Sequence, residues 1–172
     1  MPPIRVRPGA RGHMTTVQQR LRDLGVCLPE APKPVAAYLP AVLVGDLVFV
    51  SGQIPLCDGT LLCRGPVPSI VSVPAAQRAA RQCLLNALAV LGDALDGDLE
   101  RVRRIVRLGV YVACDPGFTD QPQVANGASE LLVEIFGEAG RHARAAVGSI
   151  ALPLGATVEL ELVAQVHRPS PP

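Results

Sequence analysis

The final strand-like run of the chain most narrows what it can fold into. From Thr157 to Val166, Val158, Leu160, Leu162, Ala164 and Val166 alternate with Thr157, Glu159, Glu161, Val163 and Gln165. Neighbouring strand residues point to opposite faces, so one face of this strand is wholly apolar and the other is mixed. An apolar face of this kind belongs against helices, in a sheet covered on one side. The mixed face then needs cover of another kind, and a subunit interface with polar sites in it would supply it. A homo-oligomer is the expectation.

The covering helices are legible as well. Within 74–95, Ala80, Leu84, Ala87, Leu88, Leu91 and Leu95 recur at three- and four-residue steps and make one apolar face. Pro74 suits the first turn, and Asp96-Gly97-Asp98 ends the run. A second long helix over 122–136 offers Val124, Leu131, Leu132, Ile135 and Phe136 for burial and stops at Gly137. A short helix over 16–24, capped by Thr15 or Thr16, stops at Gly25. Pro29, Pro32, Pro34 and Pro40 then hold the chain extended.

Strands are expected at 41–44 and 47–51, joined by a two-residue turn at Gly45-Asp46. The apolar run of the second ends in the small-residue turn Ser51-Gly52 before Gln53-Ile54-Pro55. Residues 56–72 hold Gly and Pro without periodicity and read as a surface loop. A β-rich run at 102–113 is stopped by Asp115-Pro116-Gly117. The last strands, 144–151 and 157–166, are joined through Leu152-Pro153-Leu154-Gly155-Ala156 and read as a hairpin. The order is α+β: a mostly antiparallel sheet with two long helices packed on one face. A single domain over 15–168 is expected, with a flexible tail at 1–14 and a short one at 169–172.

Composition bounds the function. Hydrophobic residues make up 49% of 172, enough for one sizeable core. Aromatics are 3%, with no Trp, so that core is built from Val, Leu, Ile and Ala, and platforms for stacking nucleic-acid bases are lacking. A net charge of +1 gives no strong field toward nucleic acid or membrane. The longest apolar stretch is broken by Pro40, Gly45 and Asp46. Residues 1–13 carry Arg5, Arg7 and Arg11 without an apolar region behind them, which does not read as a secretory signal. The five cysteines are odd in number and irregularly spaced, with no Cys-x-x-Cys pair, so reduced thiols in a cytoplasmic protein fit better than disulfides or a metal site.

Arg144 opens a strand whose continuation, Ala145-Ala146-Val147-Gly148, is small. A guanidinium rising from such a floor would face a cavity and could grip an organic acid bidentately; a solvated surface arginine is the competing reading. Glu159 and Glu161 share a strand face and read either as site carboxylates or as solvated ones. In an ideal hairpin centred near Leu154, Glu159 pairs near Ser149, which leaves Arg144 roughly 16 Å away. A shared site would then need inward-reaching side chains, bending or a neighbouring subunit. Arg101, Arg103, Arg104 and Arg107 form a basic cluster, offset by Asp96, Asp98 and Glu100, that reads as a solvated charged edge. Cys114, His142 and Ser51 show no nucleophile motif; His142, two positions before Arg144, would share its strand face.

Tyr38, the Gly45 hairpin, Ser51-Gly52-Gln53-Ile54-Pro55, a long helix with Ala79, Leu84 and Asn86, Asp98-Leu99, Ala143-Arg144, and Leu152-Pro153 before Val158-Glu159-Leu160-Glu161 resemble, in order and spacing, the RidA/YjgF family. The likeness runs over 35–166, and 126–132 with 136–144 resembles its endoribonuclease L-PSP/chorismate mutase-like branch. It implies a chorismate-mutase-like fold, a homotrimer with clefts between subunits, and hydrolytic deamination of reactive 2-imino acids without a metal or organic cofactor. By resemblance Arg144 binds the substrate carboxylate and Glu159 positions the attacking water, while Tyr38, Ser51, Gly52 and Asn126 line the cleft. Ala146 stands where many members carry cysteine, Asn126 aligns only with gaps, and 56–72 is longer than usual. Two other functions stay open: a non-catalytic trimer that binds a small carboxylate, and RNA cleavage, which the charge and the scarce aromatics disfavour.

Overall fold

The computed structural model describes residues 16–31 and 37–167. The expected tails, Thr15, Pro32 and Pro34 lie outside the described residues. Thr16 caps α1 (Val17–Asp23) by accepting from the Gln19 amide, and Gly25 ends it with φ of 63°. The strands β1 (Ala41–Val44) and β2 (Leu47–Gln53) pair antiparallel across the Gly45-Asp46 turn, where Gly45 takes φ of 64°. Ser72 then caps α2 (Val73–Asp93), which leads to β5 (Val102–Ala113). From β5 the chain runs through α3 (Gln121–Phe136) to β6 (Ala143–Ser149) and finally β7 (Val158–Val166).

The sheet order is β1-β2-β7-β5-β6. This corrects the expected hairpin between the last two strands: β5 lies between β6 and β7, antiparallel to β7 and parallel to β6. The cause is the helix between β5 and β6. A strand–helix–strand unit returns the chain in the same direction, which makes β6 parallel to β5 and leaves the other edge of β5 open to β7. The sheet is therefore mixed, and β5 is an interior strand, not the charged edge its arginines suggested.

Both long helices cover one face. Val158, Leu160, Leu162, Ala164 and Val166 are buried there with Leu84, Leu88 and Leu91 of α2 and Leu131, Leu132 and Ile135 of α3. Each fully buried aliphatic side chain contributes about 1.5–3 kcal/mol. Alternation along β7 is as the sequence predicts, except that Thr157 precedes the strand, is buried, and donates to the Gly65 carbonyl at 2.9 Å.

The stretch 56–72 is more than a surface loop. It holds a small hairpin, β3 (Leu56–Cys57) with β4 (Thr60–Leu61), turned by Asp58 and Gly59 at φ of 50° and 76°. Leu61, Val67 and Val71 are buried in it. Their irregular spacing gave no period to read, because they meet the core one at a time. Asn86, buried on α2, donates to the Ile54 and Leu56 carbonyls at 3.0 Å each and so fixes the chain leaving β2.

Candidate functional site

The sequence-predicted residues gather into two groups, one on each face of the sheet. The first is built at a β-bulge. Val50 pairs with Leu162 and Gln53 with Leu160, so β2 carries one residue more than β7 over that span, at Ser51-Gly52. The Ser51 hydroxyl donates to the Leu39 carbonyl at 2.7 Å, and its amide donates to the Pro40 carbonyl at 2.9 Å, which ties the bulge to the segment carrying Tyr38. Tyr38 itself is exposed.

Glu159 extends over this bulge. A methyl group at position 52 would run into its carboxylate, so the glycine is what gives the side chain room. Glu159 is half-buried, and its carboxylate makes no hydrogen bond or ion pair among the described residues. Burial, and then the neighbouring Glu161, push its carboxyl pKa above the ordinary value. Glu161 is itself paired with Arg107 at 2.6 Å, over Gly109, where an added Cβ would lie 2.6 Å from its carboxylate oxygen. Tyr111 sits across from Glu159 on β5, and burial followed by Glu161 raises its phenol. Two glycines thus open the face on which two carboxylates lie, one neutralised and one not.

Arg144 occupies the other face. It pairs with Leu108, a fully buried residue, and so points toward the helices from the sheet's outermost strand. Its Nη1 donates to Asn126 Oδ1 at 2.9 Å and to Ser129 Oγ at 3.0 Å, both on α3. Ser129 Oγ lies 3.1 Å from His142 Nε2, and His142 Nδ1 lies 2.7 Å from the Gly140 carbonyl. His142 does share the face of Arg144. Burial lowers its pKa first, the Gly140 bond opposes that, and the Arg144 charge lowers it further. Ala146 lies on the same side of β6, partly buried against the core, so a methyl stands where a thiol would react.

Within the chain these two groups do not meet. Glu159 is in register with Tyr111 and, beyond it, Val147, whereas Arg144 is in register with Leu108 and Leu162. Two strand spacings and three residues separate their backbones by roughly 14 Å, with side chains on opposite faces. The separation resembles the hairpin expectation of roughly 16 Å, but it arises from the intervening β5. The structure brings Asn126 to Arg144 and Ser51 with Gly52 to Glu159.

Sequence reasoning missed Ser129, Tyr111 and Gly109 as parts of the two groups. Ser129 had a usable signal, since it follows Asn126 by three and so shares its helix face. The other two depend on β5–β7 register. In the basic cluster, Arg101 lies in the turn Leu99–Arg101 before β5, 3.5 Å from Asp96, and Arg107 is taken by Glu161. Among the described residues no three His, Cys, Asp or Glu side chains gather as a metal cluster, and no helix is long and apolar enough to cross a membrane.

Comparison with known proteins places this arrangement in a family. Residues 18–166 match the family described as "YjgF/chorismate_mutase-like, putative endoribonuclease". Protein TCP17 of Trypanosoma cruzi is 43% identical over 152 residues, covering 88% of this chain and 94% of its own. A 2-iminobutanoate/2-iminopropanoate deaminase of Dermatophagoides farinae is 27% identical over 143 residues, covering 83% and 95%. The crystal structure of a protein of unknown function from Agrobacterium tumefaciens superposes with a TM-score of 0.82 at 44% identity, covering 88% of this chain and 92% of that one. With the matched span running from α1 to the last strand, the chain belongs to the YjgF/RidA (chorismate mutase-like) family.

Proposed function

We propose that the protein hydrolyses reactive 2-imino acids to 2-oxo acids and ammonia at a site completed between copies of the chain in a homotrimer. One observation carries the reading: each half-site holds a charge that its own protomer leaves unanswered. Among the described residues the Arg144 guanidinium is held only by the neutral Asn126 and Ser129, and the Glu159 carboxylate has no hydrogen-bond or ion-pair partner. Opposite faces of one sheet cannot share a small ligand, but the edge of one copy laid against the open face of another can bring both charges to it. The similarity to the Dermatophagoides farinae deaminase supports the same reaction.

In this reaction Arg144 pairs with the substrate carboxylate and fixes the imine carbon in place. Glu159 accepts a proton from water as the oxygen adds to that carbon, giving a carbinolamine. It returns the proton to nitrogen; as the C–N bond then breaks, the hydroxyl gives its own proton to Glu159, so the carbonyl of the 2-oxo acid forms, ammonia leaves, and Glu159 passes that proton to the ammonia. No electrons are exchanged, and water is the co-reactant. A carboxylate with a raised pKa suits this role because it is a stronger base for water.

The test uses imines generated in situ from amino acids, with ammonia release as the readout. Arg144→Ala and Glu159→Gln are each expected to be inactive, and mixing the two after co-refolding is expected to restore part of the activity, since one interface then joins an intact Arg144 to an intact Glu159. Wild-type rates in either single variant would sink the reaction. Inactive mixtures that do contain heteromers would sink the shared site. Binding of a 2-oxo acid with no turnover would instead favour the non-catalytic carboxylate binder.

A further inference from the structure

The contacts around Arg144 have a direction that the distances alone do not state. A carbonyl oxygen only accepts, so the 2.7 Å contact to Gly140 requires His142 Nδ1 to donate. In neutral histidine the other ring nitrogen is then bare, and it accepts the Ser129 hydroxyl at 3.1 Å. With its hydrogen given to His142, the Ser129 oxygen turns its lone pairs to Arg144 and accepts Nη1–H at 3.0 Å. Asn126 Oδ1 accepts the second Nη1 hydrogen at 2.9 Å. Both hydrogens of Nη1 are thereby used. The Nε and Nη2 hydrogens donate to nothing among the described residues, and they form the side-on edge that takes a carboxylate with two parallel bonds.

We propose that Ser129 and His142 are positioning residues for Arg144: a one-way hydrogen-bond chain ending at the Gly140 carbonyl holds the guanidinium by Nη1 and turns its Nε–Nη2 edge to the carboxylate of a 2-oxo or 2-imino acid. This rests on the reading of Arg144 as the acid-binding residue. It adds a reason why a long, exposed side chain on the outermost strand is held still. A long arginine side chain loses rotamer freedom when fixed, and a preset clamp removes that cost from ligand binding. Asn126 alone, with one contact, leaves the guanidinium free to turn about that bond. The second contact sets the plane, and His142 determines which way the Ser129 hydroxyl points. His142 itself is anchored by backbone: Gly140 is buried, and a Cβ there would collide with the α3 backbone at Leu132, so the carbonyl that accepts Nδ1–H sits on a closely packed turn.

The test combines ligand binding with spectroscopy on the full chain. Titration calorimetry with 2-oxobutanoate is expected to show Ser129→Ala and His142→Ala each weakening binding on the order of tenfold, the size of a lost hydrogen bond to a charged group. Ser129→Thr, which keeps the hydroxyl, is expected to restore most of it. In an Arg144→Ala background the same two substitutions are expected to change nothing, an outcome that a merely structural role would not give. Nitrogen-15 NMR of His142 is expected to show Nδ1 protonated and Nε2 bare, with the Nε2 signal moving in Ser129→Ala. Wild-type affinity in Ser129→Ala, or a His142 protonated on Nε2 alone at neutral pH, overturns the relay. Failure of the wild-type protein to bind 2-oxobutanoate overturns it together with the acid-binding reading. Ser129-dependent binding without ammonia release leaves the relay standing and removes only the deaminase.

Discussion

Glu159 shows what a single side chain contributes at odds with the fold around it. Its carboxyl is raised in the folded protein by burial first and by Glu161 second. A raised acid is stabilising only while protonated: the contribution is full below the unfolded value and is lost as pH rises through the folded one. At neutral pH, where the unfolded glutamate is ionised, the cost of ionising Glu159 in the fold therefore counts against the folded state. Glu159→Gln is expected to melt higher than wild type near pH 7, with the difference closing as pH falls below about 4.3, where the unfolded glutamate is also protonated. Thermal melts across that range check it, and a wild type that melts higher at every pH would contradict the burial argument. Stability and proposed function pull this residue in opposite directions, as is common where a site stores strain. Its position as a strand residue on the mixed face was readable from alternation alone. That Gly52 is what makes room for it was not, because the bulge joining them exists only in the β2–β7 pairing.

Among the elements, the contact between the two long helices sets how the sheet is covered. Gly127 of α3 lies so close to α2 that a Cβ would meet the Gln77 backbone carbonyl. Alanine gains about 1 kcal/mol over glycine in a helix interior, yet overpacking costs about 1–3 kcal/mol, and here the obstacle is backbone that cannot swing aside. Gly127→Ala is expected to lower the melting temperature; a higher one would mean the helices part freely. The same spacing brings Asn126 and Ser129 over β6, so the close crossing also serves the Arg144 half-site. Helix extents were legible because 3.6-residue periodicity is local to each segment: 74–95 and 122–136 were expected, against Val73–Asp93 and Gln121–Phe136. The hairpin expected of the last two strands failed for the opposite reason. Pairing is settled by which edge is free, and β5 offered one to β7.

For the whole molecule, the sheet face away from the helices is the surface that self-assembly would cover. Phe49 and Val163 lie opposite each other on that face, and Phe49 pairs also with Val42; Phe49 is 44% exposed and Val42 43%. Exposed apolar side chains side by side on a strand face mark a surface that is usually covered. Phe49→Glu is expected to shift the sedimentation mass toward a single protomer and to abolish ammonia release with it, while the helix-side core keeps the chain folded. An unchanged mass would place the interface elsewhere and detach the shared site from this face. What the sequence determined by itself was whatever repeats within a segment: the helices, most strands, the apolar face of β7, and a family likeness carried by short motifs. Tertiary structure alone decided that β5 separates β6 from β7, that Arg144 and Glu159 face opposite ways, and that Ser129 of α3 reaches both Arg144 and His142. Periodicity is a property of neighbours along the chain, whereas register and facing depend on partners dozens of residues away, whose hydrogen bonds form only when the sheet does.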